Sequence, residues 1–191
     1  MLPIRRGPAA AGVNRRYLKL AARHRVNDEH RMAKAELATY LNDHLAGSVA
    51  ALELLDHLIK VYEGKPLEKF FKDIRDDVKA DQDVLRKLVQ RFAKESVVRK
   101  AGAWIAEKFT RAKIKTAGEE VGEMGLVQAL EVLVLGITGK QLLWRALNAS
   151  LGSSPLLRGM DLSRLEERAI EQIERVEAKR LEAAREVLLR G

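Results

Sequence analysis

A chain of 191 residues, 47% apolar and 32% charged, is globular in composition and long enough for one well-filled core. It has no cysteine, which excludes disulfide frameworks, thiolate nucleophiles, cysteine-ligated zinc fingers and iron–sulfur clusters. The formal net charge of +8 is concentrated: residues 1–34 hold nine basic side chains against Asp28 and Glu29, which leaves +1 for the rest of the chain.

Residues 1–27 contain Pro3, Gly7, Pro8 and Gly12 and few large apolar side chains. They read as a basic, mobile arm with a short helix near 17–25. Such an arm is either a solvated leader or a contact for nucleic acid or another anionic surface. Tyr17 is its single aromatic residue, so base stacking is not supported. Residues 28–191 then form one helical domain. The first long helix is expected over 28–62, with the stripe Leu37, Leu41, Leu45, Ser48, Leu52, Leu55, Ile59 and Tyr62 at steps of three and four. Gly64 and Pro66 mark its end and the next start.

The second helix is expected over 67–94, with the stripe Leu67, Phe71, Ile74, Val78, Asp81, Leu85, Leu88 and Phe92. A turn this short makes the first two helices antiparallel. Residues 95–116, with Val97, Val98, Ala101, Trp104, Ile105 and Phe109, read as a shorter amphipathic crossover helix. The third long helix, over 118–149, is apolar almost all round between residues 126 and 147, and is therefore expected to be buried on several sides. Gly136 and Gly139 within it allow close approach of another backbone, or a kink. Gln128 and Glu131 interrupt its apolar stretch, which falls short of the roughly 20 residues of a membrane span. No span is expected, and a cytoplasmic location is the default. Gly152-Ser153-Ser154-Pro155 form a loop, and the fourth helix runs to about 189. It is capped by a Ser163/Glu166 box or by Asp161.

Three stretches carry a resemblance. They are Leu41-Asn42-Asp43-His44-Leu45-Ala46-Gly47-Ser48, Ala80-Asp81-Gln82-Asp83-Val84-Leu85, and residues 130–140, which read LEVLVLGITGK. Together they resemble a group of bacterial ferritin-like proteins over roughly residues 32–190. The resemblance implies an all-α, ferritin-like four-helix bundle with a helical crossover between the second and third long helices, and a homodimer. Ferritin-like di-metal sites use a Glu from each of two helices and a Glu-x-x-His from each of the other two. Here the four histidines are His24, His30, His44 and His57, and the residues three before them are Ala21, Asn27, Leu41 and Leu54. The motif is absent, so an ordinary ferroxidase or di-iron oxygenase is not expected.

Polar residues still interrupt the apolar stripes at Ser48, Asp81, Glu131 and Gln172, and His44 lies one turn from Ser48. One reading gathers Asp81, Glu131 and His44 into a reduced site for a single metal ion such as iron, manganese or zinc, or for a small polar ligand. The other is a buried hydrogen-bond and ion-pair network, with Lys140 or Arg145 neutralising Asp81 and a partner from another helix for Glu131. His57 is expected at the surface or in packing, and the Glu119, Glu120, Glu123 cluster at a solvated helix start. Three functions follow. The leading one is a non-catalytic or weakly metal-binding bundle acting as a binding or assembly module. The alternatives are a metal-dependent enzyme or storage protein, and an anion- or nucleic-acid-associated protein acting through the arm.

Overall fold

The computed structural model describes residues 15–93 and 122–189. Among them every regular element is helical: α1 Arg15–Val61, α2 Pro66–Ala93, α3 Glu123–Leu151 and α4 Leu162–Leu188, with a single 3-10 turn at Pro155–Leu157 before α4. The crossover expected over 95–116, Trp104, Glu119 and Glu120 lie outside the described residues.

The turn between α1 and α2 follows from its residues. Gly64 takes φ +73°, its backbone N–H donates to Glu68 Oε2 at 2.7 Å, and Pro66 opens α2 where no backbone donor is needed. At α4 the cap is Asp161, whose side chain accepts from the Arg164 backbone N–H at 2.9 Å. Asp161, not Ser163, therefore satisfies that helix end. The start of α1 differs from expectation. It begins at Arg15, not at residue 28, and continues through Asn27 and Asp28 without a break. Residues 13–46 contain neither glycine nor proline, so nothing in the backbone chemistry forces an end there.

Two apolar clusters fill the bundle. One joins Leu55 and Leu58 of α1, Phe71, Ile74 and Val78 of α2, Val127, Ala129, Leu130, Leu133 and Ile137 of α3, and Ala169, Val176 and Ala183 of α4. The other joins Leu41, Leu85, Leu88, Phe92, Leu143, Trp144, Leu147, Leu157, Leu162 and Leu165. Seven of the eight stripe positions expected on α2 are buried, and Leu67 is half-buried. The clusters also fix direction. α1 and α4 run from the Trp144 cluster to the Phe71 cluster, and α2 and α3 run the opposite way. The order is up-down-down-up, so α2 ends at one end of the bundle and α3 starts at the other.

The outer side of α3 departs from the expected all-round burial. Leu135 is 72% exposed, Leu142 53% and Val132 41%, because no described element lies over them. A Cβ added at Gly136 or Gly139 would meet nothing within 4 Å, so neither glycine serves a close approach within the described chain. By length and composition alone α3 could cross a bilayer, although Leu130, Leu133, Ile137, Leu143 and Trp144 face the bundle core.

Candidate functional site

Between the two apolar clusters lies a polar layer with one residue or more from each helix. Asp81 of α2 sits at its centre, 1% exposed. Its Oδ2 accepts from Lys140 Nζ of α3 at 2.6 Å and from Gln172 Nε2 of α4 at 3.1 Å, and Lys140 also donates to Gln172 Oε1. Arg168 Nη2 of α4 stands 3.1 Å from Asp81 Oδ1, out of line for a hydrogen bond, so that oxygen is compensated by charge alone. Next to Asp81, the buried Gln82 donates through Nε2 to Ser48 Oγ of α1 at 3.1 Å and accepts from Arg86 Nη2 at 2.8 Å. The Ser48 hydroxyl in turn donates to the Leu45 carbonyl at 2.6 Å.

A carboxylate removed from water needs this many partners. Burial pushes the Lys140 ammonium below the usual lysine range, and the adjacent Asp81 charge opposes that shift. The arrangement links all four helices through hydrogen bonds and ion pairs, with Asp81 Oδ1 answered by the Arg168 charge.

The three residues weighed as a metal site are not brought together. Asp81 is in the layer. Glu131 is half exposed on the outer flank of α3, where Arg180 Nη1 of α4 approaches its Oε1 at 3.4 Å. It lies nine residues from Lys140, about 13 Å along the helix axis. His44 stays on α1, with its ring edge-on to Tyr40 at 4.7 Å between centroids. Among the described residues no group of three or more His, Cys, Asp or Glu side chains is placed to hold a metal ion. Two cations beside Asp81 would also repel one. The described residues around Asp81 therefore do not fit a ferritin-type metal centre. Lys140 is the residue that neutralises Asp81, while Arg145 pairs with Glu166 at 2.7 Å.

Two members of the layer, Gln82 and Arg168, were not singled out from the sequence. Arg168 had a signal, since it lies one helical turn before Gln172 on the same face of α4. The α4 charges pair across the bundle as well as along the helix, as in Arg175 to Asp77 of α2 at 2.6 Å. His57 is half-buried, with Nε2 enclosed and without a hydrogen-bond partner among the described residues. The open cleft of 450 Å³ lined by Asn148, Met160, Asp161 and Ser163 lies at the α3–α4 turn, away from the polar layer.

His44 gives a pH prediction. Burial holds its imidazole below the ordinary pKa of about 6.5, with Asp43 opposing weakly. The unfolded chain thus binds the proton more readily than the folded one, and stability rises with pH in that range. Stability should fall as pH drops from neutral through about 6.5, and His44→Gln should flatten that part of the curve. Urea midpoints between mildly acid and neutral pH measure it, and parallel curves for the two proteins would refute the assignment.

Neither a family model, a curated protein nor a solved structure matches this chain. Function must accordingly be argued from the geometry.

Proposed function

We propose that this chain is a non-catalytic, ferritin-like four-helix bundle that acts as an assembly module, pairing with a second copy through the outer face of α3. The observation that carries the reading is the uncovered strip of Val132, Leu135, Gly139, Leu142 and Ala146. These positions follow one another at steps of three and four and include no charge. Soluble monomers rarely leave a continuous apolar face in water, and a stripe of this period is the seam by which paired helices meet. The up-down-down-up order with one long crossover supports the ferritin-like part of the reading. The pairing of Asp81 with Lys140, Gln172 and Arg168, which answers its charge from within the bundle, supports the non-catalytic part.

Self-complementarity favours a second copy as the occupant. About a twofold axis near Thr138, an antiparallel pair sets Leu135 against Leu142 of the partner subunit. It also brings Glu131 towards Arg145 of the partner subunit, while Gly136 and Gly139 at the centre let the backbones close in. Sedimentation equilibrium should return twice the 21.4 kDa chain mass. Leu135→Glu combined with Leu142→Glu should return one chain mass with an unchanged helical spectrum. A single-chain mass for the wild type at high micromolar concentration overturns the proposal and points to residues 94–121 of the same chain as the cover. Dissociation only on adding detergent or lipid would point to a bilayer surface instead.

A further inference from the structure

Between residues 124 and 149, α3 carries three charged side chains, Glu131, Lys140 and Arg145. Lys140 is turned inward to Asp81, so the outer side keeps one acid and one base. These stand seven residues either side of Thr138, about 21 Å apart along the axis and about 40° apart around it. Both are exposed. They share the flank of α3 that faces α4, because their ion-pair partners, Arg180 and Glu166, both belong to α4.

Neither charge is saturated inside the subunit. Arg180 commits Nε and Nη2 to Glu177 at 2.6 and 2.7 Å and approaches Glu131 Oε1 through Nη1 alone, at 3.4 Å. Glu131 Oε2 is left for another donor. Arg145 directs Nε and Nη2 to a single Glu166 oxygen at 2.7 Å, which leaves its Nη1 for another acceptor. Each residue can therefore take a second ionic partner with both internal pairs intact.

Their positions also decide between arrangements of two α3 helices. A twofold axis across the helices near Thr138 sets Glu131 against Arg145 of the partner subunit, and does so twice. A twofold axis along the helices makes them parallel. It sets Glu131 against Glu131 of the partner subunit and Arg145 against Arg145 of the partner subunit, and like charges so placed repel. The apolar strip makes no such distinction, since leucine packs against leucine in either order.

We propose that Glu131 and Arg145 are the residues by which α3 selects its partner. They admit a second copy of this chain, antiparallel and centred near Thr138, while the apolar strip supplies most of the affinity. The inference rests on the pairing through α3 proposed above. Charges flanking the seam of paired helices act in this way, fixing partner and orientation more than strength.

The test is sedimentation equilibrium of the full chain with the two charges reversed separately. Glu131→Arg brings two arginines together at each end of the seam, and Arg145→Glu brings two glutamates together. Each variant alone should self-associate on the order of 100-fold more weakly than the wild type. Mixed in equal amounts, the two restore opposite charges at both ends, and the mixture should return close to the wild-type dimer. Circular dichroism shows whether each variant keeps its helices. Glu131→Gln and Arg145→Gln introduce no repulsion and decide the matter if a reversal unfolds the chain. Their losses in dimer affinity should not add, because either one removes the same two pairs. A wild type of one chain mass refutes the pairing and this inference with it. With a dimeric wild type, three results overturn the inference and leave the pairing standing: reversed variants that self-associate like the wild type, an equimolar mixture no stronger than its components, or additive losses in the glutamine variants.

Discussion

Replacing Asp81 by alanine is expected to destabilise the fold by about 3–5 kcal/mol, because it leaves Lys140 and Arg168 facing each other around an empty acceptor position. Lys140→Met alone should cost less, since Arg168 remains 3.1 Å from Asp81 Oδ1 and Gln172 still donates to Oδ2. Asp81→Leu combined with Lys140→Met should recover most of the loss. With neither charge buried, Arg168, already partly exposed, can turn to water. Glu131→Gln provides the contrast, with a change of less than about 1 kcal/mol expected for a half-exposed pair at 3.4 Å. Urea unfolding of these four variants and of Asp81→Leu alone, which closes the cycle, measures this order. A double variant whose loss equals the sum of its parts would show that Asp81 and Lys140 act independently, against the geometry.

Trp144→Ala is expected to have a comparable effect, about 3–5 kcal/mol. The ring is fully buried among Leu41, Leu88, Leu143 and Leu162, and it is the largest fully buried side chain among the described residues. Its indole Nε1 is buried without a hydrogen-bond partner among the described residues. A buried donor left without a partner costs about 1–3 kcal/mol. Trp144→Phe removes the unpaired N–H along with some volume, so the two effects oppose each other, and the variant should stay within about 1.5 kcal/mol of the wild type. Circular dichroism in urea follows both variants without relying on the tryptophan signal. A Phe variant as unstable as the Ala variant would show that ring volume alone matters there.

The sequence made α2 legible because its apolar residues recur on one face and polar residues occupy the rest, so that Asp81 stood out as an interruption of a regular stripe. A buried carboxylate needs a cation, which narrowed its partner on α3 to Lys140 or Arg145; the structure selects Lys140. Glu131 was harder. α3 is apolar on both sides, so periodicity does not say which side faces inward. Leu130 and Leu133 turn to the core while Glu131, Val132 and Leu135 turn away. Arg168 was obscured by its neighbours, a run of charges on α4 that resembles an ordinary solvated face. The start of α1 was obscured by Asn27 and Asp28, which suit a helix cap in a peptide but cost an interior only a few tenths of a kcal/mol each.

The placement of the polar layer also bears on how the halves of the chain find each other. Ser48, Asp81 and Gln82 belong to the first helical hairpin, while Lys140, Arg168 and Gln172 belong to the second. Apolar stripes of leucine and valine are nearly periodic, and two such hairpins can slide past one another by a turn, about 5.4 Å, with modest loss of contact. An ion pair buried between them cannot slide. One turn out of step, Asp81 would face Ile137 or Leu143 in place of Lys140, with its charge unanswered. The layer acts as a key that admits one alignment of the hairpins, as a single buried polar residue does in a coiled coil.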